Sequence, residues 1–328
     1  MVATNKCGEK LKLEIVSGED ALPGAIDCLL HVYGAKENYH NPKVFDKQWM
    51  TKKIREESKN LFTAISQYGE PLVTISAKKA RYFDKAVELG TLAVNPKYTG
   101  FGLGDLIFRH ILSECEKAGN VLFFAHVVMV HTMASSMVEN HGFTPTGFLL
   151  GEINDNARLY KSSRKQSFSV YVKNSATSEN ATIYVPKYIE PFAKTIYESL
   201  SATPDIKDRR DPFGDQCELT YEQDECHKTL YIYISKCAEC LREKIYELEQ
   251  NYNEALQTNI IYLSINDSGA IGGFEILKGM GYKFSGLMPL CGNNEFIIMA
   301  KTREVFIDFS ELKMTFAQRN LFERIQLL

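Results

Sequence analysis

Three glycines at alternate positions, Gly100, Gly102 and Gly104, are the clearest chemical feature of this chain. They follow the apolar residues 92–94 and precede residues 105–117, which have helical periodicity. Because glycine has no Cβ, the main-chain N–H groups of such a loop can approach a bulky anion closely. The following helix directs its positive dipole end at the same place. The pattern predicts a pyrophosphate-binding loop, and the alternative is an ordinary glycine-rich turn between strand and helix.

Two other phosphate-binding loops are excluded by residue type. A P-loop requires Gly-Lys-Ser or Gly-Lys-Thr after four spacer residues, and the sequence contains neither. A dinucleotide-binding loop requires the spacing G-x-G-x-x-G and an acidic residue on the next strand. Here the spacing is G-x-G-x-G, and the next predicted strand, residues 121–127, has no acidic residue.

The segment around these glycines resembles the central motif of the GNAT superfamily of N-acetyltransferases. The resemblance is carried by Leu92-Ala93-Val94-Asn95-Pro96-Lys97-Tyr98 and by Gly102-Leu103-Gly104. In the family pattern, Gln/Arg-x-x-Gly-x-Gly/Ala, Thr99 stands where Gln or Arg belongs. The resemblance implies an acyl-CoA site, with acetyl-CoA as the expected form and mainly main-chain contacts to phosphate. The implied cofactor-binding residues are Leu92, Ala93, Val94, Thr99, Gly100, Phe101, Gly102, Leu103, Gly104 and Asp105.

Acylation of an amine also requires a proton acceptor, because an ammonium group has no lone pair. Glu88 lies eleven residues before Thr99, and a catalytic glutamate has this spacing in histone-type members of the superfamily. The resemblance therefore implies that Glu88 is the base, although it can equally be a solvent-facing acid at a strand start. Strand periodicity predicts that Glu88 shares one face with Gly90, Leu92 and Val94.

His131 is the second candidate catalytic residue, at the start of a predicted helix over residues 131–140. It could bind the acceptor, orient CoA or shuttle protons, because histidine has an ordinary pKa near ~6.5. It could equally be a capping or packing residue. In many GNAT members a Tyr on this helix protonates the departing thiolate, and Val138 stands in that place here. Another residue or water must then protonate the thiolate, or the thiolate leaves unassisted, which is tolerable because a thiol has an ordinary pKa of ~8.5.

The other substrate contacts follow from the same resemblance. A main-chain N–H of residues 92–94 would polarise the thioester carbonyl, where the fourth and fifth strands of the GNAT fold diverge. Lys97 could supply charge to the phosphates, or it could be a solvated turn lysine. The acceptor would lie against the loop after the first helix, whose candidates are Tyr33, Glu37, Asn38, Tyr39 and His40. Of these, Tyr33 and Tyr39 are the predicted acceptor-binding residues.

The elements that position these residues are predicted from periodicity and turn signals. Their order is β-α-α-β-β-β-α-β-α-β-β, which is the GNAT order and extends the resemblance over about 170 residues. The predicted strands are residues 11–16, 61–66, 72–76, 88–94, 121–127, 147–151 and 168–172, and the predicted helices are residues 25–33, 44–57, 105–117 and 131–140.

The second half of the chain repeats part of the first. Residues 142–147 align with residues 281–286, and a predicted strand lies upstream of each at the same offset, which indicates a tandem duplication. The strand at residues 229–234 enters a predicted helix, residues 235–250, without a glycine, so this copy should not bind CoA in the same way. The predicted fold is α/β (α+β) with two GNAT-like domains, each a mixed, mostly antiparallel twisted sheet flanked by helices. The predicted boundaries are residues 1–176, with the acyl-CoA loop, and residues 177–328, a degenerate copy.

Composition narrows the class of protein. A length of 328 residues allows two cores, and 45% hydrophobic residues with a net charge of −3 argue against disorder and against a nucleic-acid partner. No apolar run reaches the ~18 residues of a membrane span. The eight cysteines follow no secreted spacing, and no signal core follows the first residues, so a cytoplasmic location with reduced thiols is expected.

A zinc site is the alternative use of several of these cysteines. Cys237 and Cys240 form C-x-x-C, with Cys217, Cys226 and His227 upstream. Both residues of the pair fall inside the predicted helix 235–250, and the upstream spacing is irregular for structural zinc. Buried free thiols are therefore favoured, and no metal is predicted.

The sequence predicts an acyl-CoA-dependent N-acyltransferase that acts on an amine of a small molecule or peptide by direct transfer in a ternary complex. A non-catalytic acyl-CoA sensor or interaction module is the first alternative, and a purely structural protein is the second. The second domain could wall the acceptor cleft, form the face of a homodimer or complete the core.

Overall fold

The structure is a computed structural model of the chain. It describes residues 1–36, 39, 41–56, 60–80, 83, 86–154, 165–175, 181–252, 257–290, 295–302, 307 and 309–328. Within these ranges the chain divides into two compact units, of which the first holds Met1–Ala125 and the second begins at His126. No helix in these ranges has the length and apolar character needed to cross a membrane.

The first unit has the predicted order of elements, with one additional short strand at its start. Its elements are β1 (Val2–Thr4), β2 (Lys10–Ser17), α1 (Leu22–Tyr33), α2 (Lys47–Glu56), β3 (Asn60–Ser66), β4 (Pro71–Lys79), β5 (Ala86–Val94), α3 (Leu103–Lys117) and the first part of β6 (Leu122–Val128). The strands follow the order β1-β2-β3-β4-β5-β6. Neighbouring strands are antiparallel from β1 to β5, whereas β5 and β6 are parallel. This mixed sheet with its helices confirms the predicted α/β fold class.

Helix α1 packs closely against one face of this sheet. Its buried side chains form a cluster with Leu61 of β3 and Ala93 of β5. Gly24 permits the close approach, since a Cβ at this position would lie 2.8 Å from Thr63 Cγ2. The Thr63 hydroxyl also donates a hydrogen bond to the carbonyl oxygen of Ala21, just before the helix, at 2.9 Å. The helix and the middle of the sheet are therefore fixed to each other by packing and by a buried hydrogen bond.

The second unit contains a second mixed sheet. Its elements are α4 (Met133–Asn140), β7 (Thr144–Ile153), β8 (Gln166–Asn174), β9 (Thr182–Tyr184), α5 (Glu190–Ser199), β10 (Asp205–Lys207), β11 (Glu218–Asp224), β12 (Thr229–Lys236), α6 (Leu241–Asn251), β13 (Thr258–Ser264), α7 (Ala270–Gly279), β14 (Lys283–Met288), β15 (Phe296–Thr302) and α8 (Phe316–Gln326). Within this unit the strand order is β8-β7-β14-β15-β13-β12-β11, and β9 pairs with β10 separately. The sequence predicts a loop over residues 201–215, and β10 within it corrects that prediction.

The two aligned sequence segments meet inside this unit. Strands β7 and β14 are antiparallel neighbours, and their register partners are Gly147 and Gly286, the last glycines of the two segments. Strand β8 flanks β7 and β15 flanks β14, so corresponding hairpins lie on either side of the glycine pair. Strands β12 and β13 are parallel, as β5 and β6 are. This correspondence supports a tandem duplication, while the boundary at residues 176/177, which lies inside the second unit, stays a prediction.

The glycine pair allows a test of this junction. Gly286 has φ +134°, and a Cβ there would lie 2.2 Å from Gly147 Cα and 2.5 Å from Thr146 O. Because both neighbours are main-chain atoms, Gly286→Ala should lower the free energy of unfolding by about 3 kcal/mol or more. Gly281→Ala is the matched control, because Gly281 also has a positive φ, +89°, but has room for a Cβ; it should cost about 1–2 kcal/mol. Urea denaturation measures both, and equal losses would refute the close contact.

Candidate active site

Among the described residues, the parallel strands β5 and β6 pair with each other only at their beginning. Ala86 pairs with Leu122 and Glu88 with Phe124, and no later pair between these strands occurs among the described residues. Strand β5 continues to Val94. The edge of β5 beyond Glu88 can therefore offer its main-chain N–H and C=O groups to a bound ligand, as unpaired sheet edges do.

A β-bulge lies in this open part of β5. Thr74 of β4 pairs with Ala93, and Ser76 pairs with Gly90, so β5 has one more residue than β4 between these pairs. Thr91 within the bulge has φ +56°. A β-branched residue rarely adopts this left-handed conformation, so neighbouring groups must stabilise it.

The bulge corrects the predicted arrangement of side chains along β5. Alternate residues of β4 share a face, and three of them pair with Glu88, Gly90 and Ala93. These β5 residues therefore share a face, whereas Leu92 and Val94 lie on the other one. The prediction that Leu92 and Val94 share the face of Glu88 was wrong, because an extra residue reverses the alternation beyond it.

Two polar side chains hold the bulge. The Ser76 hydroxyl lies 3.1 Å from Thr91 Oγ1 and 3.3 Å from the Gly90 carbonyl oxygen, so its single proton is shared between these two acceptors. Tyr39 hydrogen-bonds to the side chain of Thr91. The Thr91 hydroxyl therefore connects strand β4 to the segment that follows α1.

Tyr39 and Tyr33, the predicted acceptor-binding residues, lie together in the first unit. Their rings meet edge to face with centroids 4.8 Å apart, and Tyr39 is only 4% exposed. Burial raises the pKa of Tyr39, and the charges of Tyr33 and Glu88 add to this, while the Thr91 hydrogen bond acts in the opposite direction. Contact of either residue with an acceptor stays a prediction. Glu37, Asn38 and His40 lie outside the described residues.

Glu88 forms an ion pair that the sequence did not indicate. Lys78 lies directly opposite it on β4, with Nζ 2.9 Å from Glu88 Oε2. The side chains of Lys78 and Glu88 are 48% and 24% exposed. A cation at this distance favours the ionised carboxylate, which is the form that accepts a proton.

The turn after β5 is fixed by its own polar side chains. The buried Asn95 donates from Nδ2 to the Pro71 carbonyl oxygen at 3.0 Å and accepts from the Lys97 N–H at 3.2 Å. The Thr99 hydroxyl donates to the Pro96 carbonyl oxygen at 2.9 Å. The proton of this hydroxyl is therefore used within the turn, and its oxygen lone pairs cannot bond to an anion.

The glycine loop is open on the side where side chains would otherwise project. Gly100 has φ +92° and Gly102 has φ +68°, and a Cβ at either position would meet nothing within 4 Å. Both conformations favour glycine, and both leave space in front of the main chain. The residues present therefore fit a bulky anion such as a pyrophosphate.

Helix α3 begins at Leu103, two residues before the predicted start at Asp105. Its first main-chain bond runs from Leu106 N–H to Gly102 O at 3.0 Å, so the amides of Leu103 and Gly104 precede the hydrogen-bonded part of the helix. The Asp105 side chain pairs with Arg109 at 3.1 Å, and Leu103 is 1% exposed. Leu103 and Asp105 can therefore contact an anion through their main-chain groups but not through their side chains.

His131 belongs to the second unit and precedes its first helix. Helix α4 begins at Met133 with Thr132 as its N-cap, so the prediction that His131 opens the helix was wrong by two residues. Burial lowers the pKa of His131 from its ordinary value. The imidazole is then neutral at pH 7 and chemically able to accept a proton. Val138, where the resemblance would place a tyrosine, is buried and 2% exposed.

The cysteines of the C-x-x-C pair lie outside the helix. Helix α6 begins at Leu241 with Cys240 as its N-cap, which corrects the predicted helix over residues 235–250. Cys217 and Cys237 are buried, whereas Cys226 and Cys240 are exposed, so the prediction of buried thiols was wrong for the latter two. Burial raises the pKa of Cys237, so its thiol stays protonated. In the part of the chain that the structure describes, no group of three or more His, Cys, Asp or Glu side chains could hold a metal ion.

The corresponding strands of the second unit differ from β5 and β6. Strands β12 and β13 pair continuously from Thr229–Thr258 to Ile234–Leu263. No glycine lies between β12 and α6. Both features that open the first site are therefore absent from this described part of the second unit.

Comparison with known proteins gives only remote structural likeness. No protein-family model matches the chain, and no curated protein matches it. Among solved structures, an N-acetyltransferase from Staphylococcus aureus is 15% identical with a TM-score of 0.41, covering 50% of this chain and 99% of that one. The ribosomal-protein-S18-alanine N-acetyltransferase from Escherichia coli is 18% identical with a TM-score of 0.39, covering 51% and 97%.

A third solved structure, of a proposed acetyltransferase from Salmonella typhimurium with its cofactor acetyl-CoA, is 15% identical with a TM-score of 0.41, covering 53% of this chain and 97% of that one. At these identities and TM-scores the likenesses assign no role to any residue. What the structure shows by itself is a mixed α/β fold whose order of elements agrees with the predicted order.

The hydrogen bonds at the bulge can be tested through stability. Thr91→Val keeps the shape and the β-branch but removes the hydroxyl, so the bonds to Ser76 and Tyr39 are lost. We expect a loss of about 1–3 kcal/mol in the free energy of unfolding. Thr91→Ser is the control that keeps the hydroxyl and should lose less. Urea denaturation of the two variants separates these outcomes, and equal stability would contradict a supporting role for the hydroxyl.

Proposed function

We propose that this chain is an acyl-CoA-dependent N-acyltransferase, with acetyl-CoA as the expected donor, acting by direct transfer in a ternary complex. The observation that carries the proposal is the open edge of β5 beyond Glu88, which leads directly into an open glycine loop. One main-chain segment could thereby contact both the thioester end and the diphosphate end of a long donor. The donor would supply an activated acyl group to the site.

The main chain supplies the contacts to the donor in this proposal. Amides of the loop and of the first turn of α3, from Thr99 to Asp105, face the diphosphate, where the helix dipole favours negative charge. Lys97, exposed on the turn, adds positive charge. A main-chain N–H of residues 92–94 donates to the carbonyl oxygen, where negative charge develops during the reaction.

Glu88 acts as the base. Its carboxylate takes a proton from the acceptor ammonium, directly or through a water molecule, and the free amine then has the lone pair needed for attack. Val138 has no proton to donate to the departing thiolate, so water or another group does this. His131 remains the second catalytic candidate because its imidazole is neutral at pH 7.

The proposal also covers the acceptor, the second half of the chain and the place where the protein acts. The acceptor is an amine of a small molecule or peptide, bound near Tyr33 and Tyr39. Residues 177–328 form a degenerate copy without a coenzyme site. The chain acts in the cytoplasm without nucleic acid or membrane, alone or as a homodimer.

A non-catalytic acyl-CoA sensor is the competing function. It is favoured by Thr99, whose hydroxyl bonds within the turn, and by Val138, which replaces a possible proton donor. Such a protein would bind CoA tightly and release no thiol with any amine. The two functions therefore share the glycine loop and differ in the need for Glu88.

The glycine loop is tested with two matched variants. Gly102→Val and Gly119→Val place the same side chain at positive φ, +68° and +84°, and neither Cβ meets an atom within 4 Å. Gly119 follows the other end of α3, so only Gly102→Val should block CoA. For wild type and Gly119→Val, CoA at a hundredfold excess over Kd should add about 2.7 kcal/mol of stability. The added stability is measured as a rise in melting temperature with CoA. An undiminished rise in Gly102→Val would show that the glycine loop does not bind CoA.

Glu88→Gln tests the base with little change in shape. Because glutamine cannot accept the ammonium proton, kcat should fall by about 10²–10⁴-fold, while the thermal shift with CoA should persist. Thiol release from acetyl-CoA with a panel of small amines and peptides gives the rate. Unchanged turnover would remove Glu88 from the mechanism, and binding without turnover in the wild type would favour the sensor.

A further inference from the structure

The side-chain amine of Lys78 lies beside Glu88, where an acceptor amine that gives its proton directly to this base would lie. Its Nζ is 2.9 Å from Glu88 Oε2, the contact expected between a base and the ammonium that it deprotonates. The two residues face each other across β4 and β5, at the last pair before β5 leaves β6. Lys78 is thus a primary amine held at the base and at the start of the open strand edge.

We propose that Lys78 is itself an acceptor, so that the protein acylates its own Lys78 Nζ. This inference rests on the proposed function, because it uses the same donor, the same open edge and the same base. The lysine side chain has a flexible four-carbon stem and is 48% exposed. Its amine can therefore leave the carboxylate and meet a thioester placed beside β5.

Lys79, the next residue along β4, lacks the access to Glu88 that Lys78 has. Lys79 is also exposed, but it pairs with Val87, whereas Lys78 pairs with Glu88. Successive residues of a strand point to opposite faces, so the Lys79 side chain lies on the face away from Glu88. The two lysines share local sequence and solvent access and differ in their access to the base.

The chemical step balances without any further reactant. Glu88 accepts a proton from the Lys78 ammonium, and the freed Nζ lone pair attacks the carbonyl carbon of the acyl-CoA thioester. The N–C bond forms, the nitrogen gives its second proton to water, the C–S bond breaks and the electron pair leaves with the CoA thiolate. The thiolate takes a proton from water, and Glu88 returns its proton to solvent. The products are an amide at Lys78 and free CoA.

Acylation would change the charge of the site. The amide carries no positive charge, so the Glu88 carboxylate would lose the cation 2.9 Å away. A cationic acceptor would then meet a carboxylate that Lys78 no longer neutralises. Self-acylation would thus convert the ion pair into an anionic site for an amine.

The test is peptide mass spectrometry of the full chain after incubation with acetyl-CoA. We expect an added acetyl group at Lys78, formed about 10²-fold faster than at Lys79. The modification at Lys78 should fall to the Lys79 level in Glu88→Gln. In Lys79→Arg, which leaves the pair untouched, it should be unchanged. Thermal shift with CoA and thiol release with the amine panel are measured on the same samples.

The other results overturn the proposal in distinguishable ways. Equal labelling of the two lysines, or labelling of Lys78 that survives Glu88→Gln, would mean simple chemical acylation by the thioester. Turnover of external amines with Lys78 unmodified would end the inference and leave the proposed function intact. Absence of labelling, turnover and a CoA thermal shift together would refute the proposed function as well.

Discussion

One extra residue in β5 is the constraint on which the candidate site depends. Thr91 adopts φ +56°, a conformation that costs about 1–2 kcal/mol in a residue with a Cβ. The hydroxyl contacts to Ser76 and Tyr39 can offset that cost, because each buried hydrogen bond contributes about 0.5–1.5 kcal/mol. The bulge reverses the alternation of β5 just beyond Glu88, where pairing with β6 has ended. Strain in one residue therefore accompanies the opening of a sheet edge to a ligand.

The second half of the chain shows what the same topology gives without these features. Strands β12 and β13 form a continuous ladder from Thr229–Thr258 to Ile234–Leu263, so the main-chain groups that would hold a ligand bond to each other. The segment before α6 has no glycine, and Cys237 there packs closely against Gly273 of α7. The two halves therefore differ in the bulge and the glycine loop, the features on which the proposed coenzyme site depends, and not in the order of their strands.

The sequence predicted the elements with strong periodicity, such as α3 and β5, because their apolar spacing records which face is buried. The glycine loop was also predictable, since residue type alone limits its main chain. The bulge was not, because a pattern of alternation does not reveal an extra residue that only the partner strand can show. Strand β11, Glu218–Asp224, was missed because it is a polar edge strand that lacks a buried face. The pair of Lys78 with Glu88 depends on hairpin register, which their distance in sequence does not fix.

The exposure of the Lys78–Glu88 pair matters as much as its distance. A fully buried ion pair would be expensive to break, since the remaining charge would have no partner and little water. With side chains 48% and 24% exposed, this pair is nearer to surface ion pairs, which contribute about 0–1 kcal/mol. An incoming ammonium can therefore replace Lys78 at Glu88 at small cost. If Glu88 is the base, as proposed, the exposed pair leaves its carboxylate accessible to the acceptor.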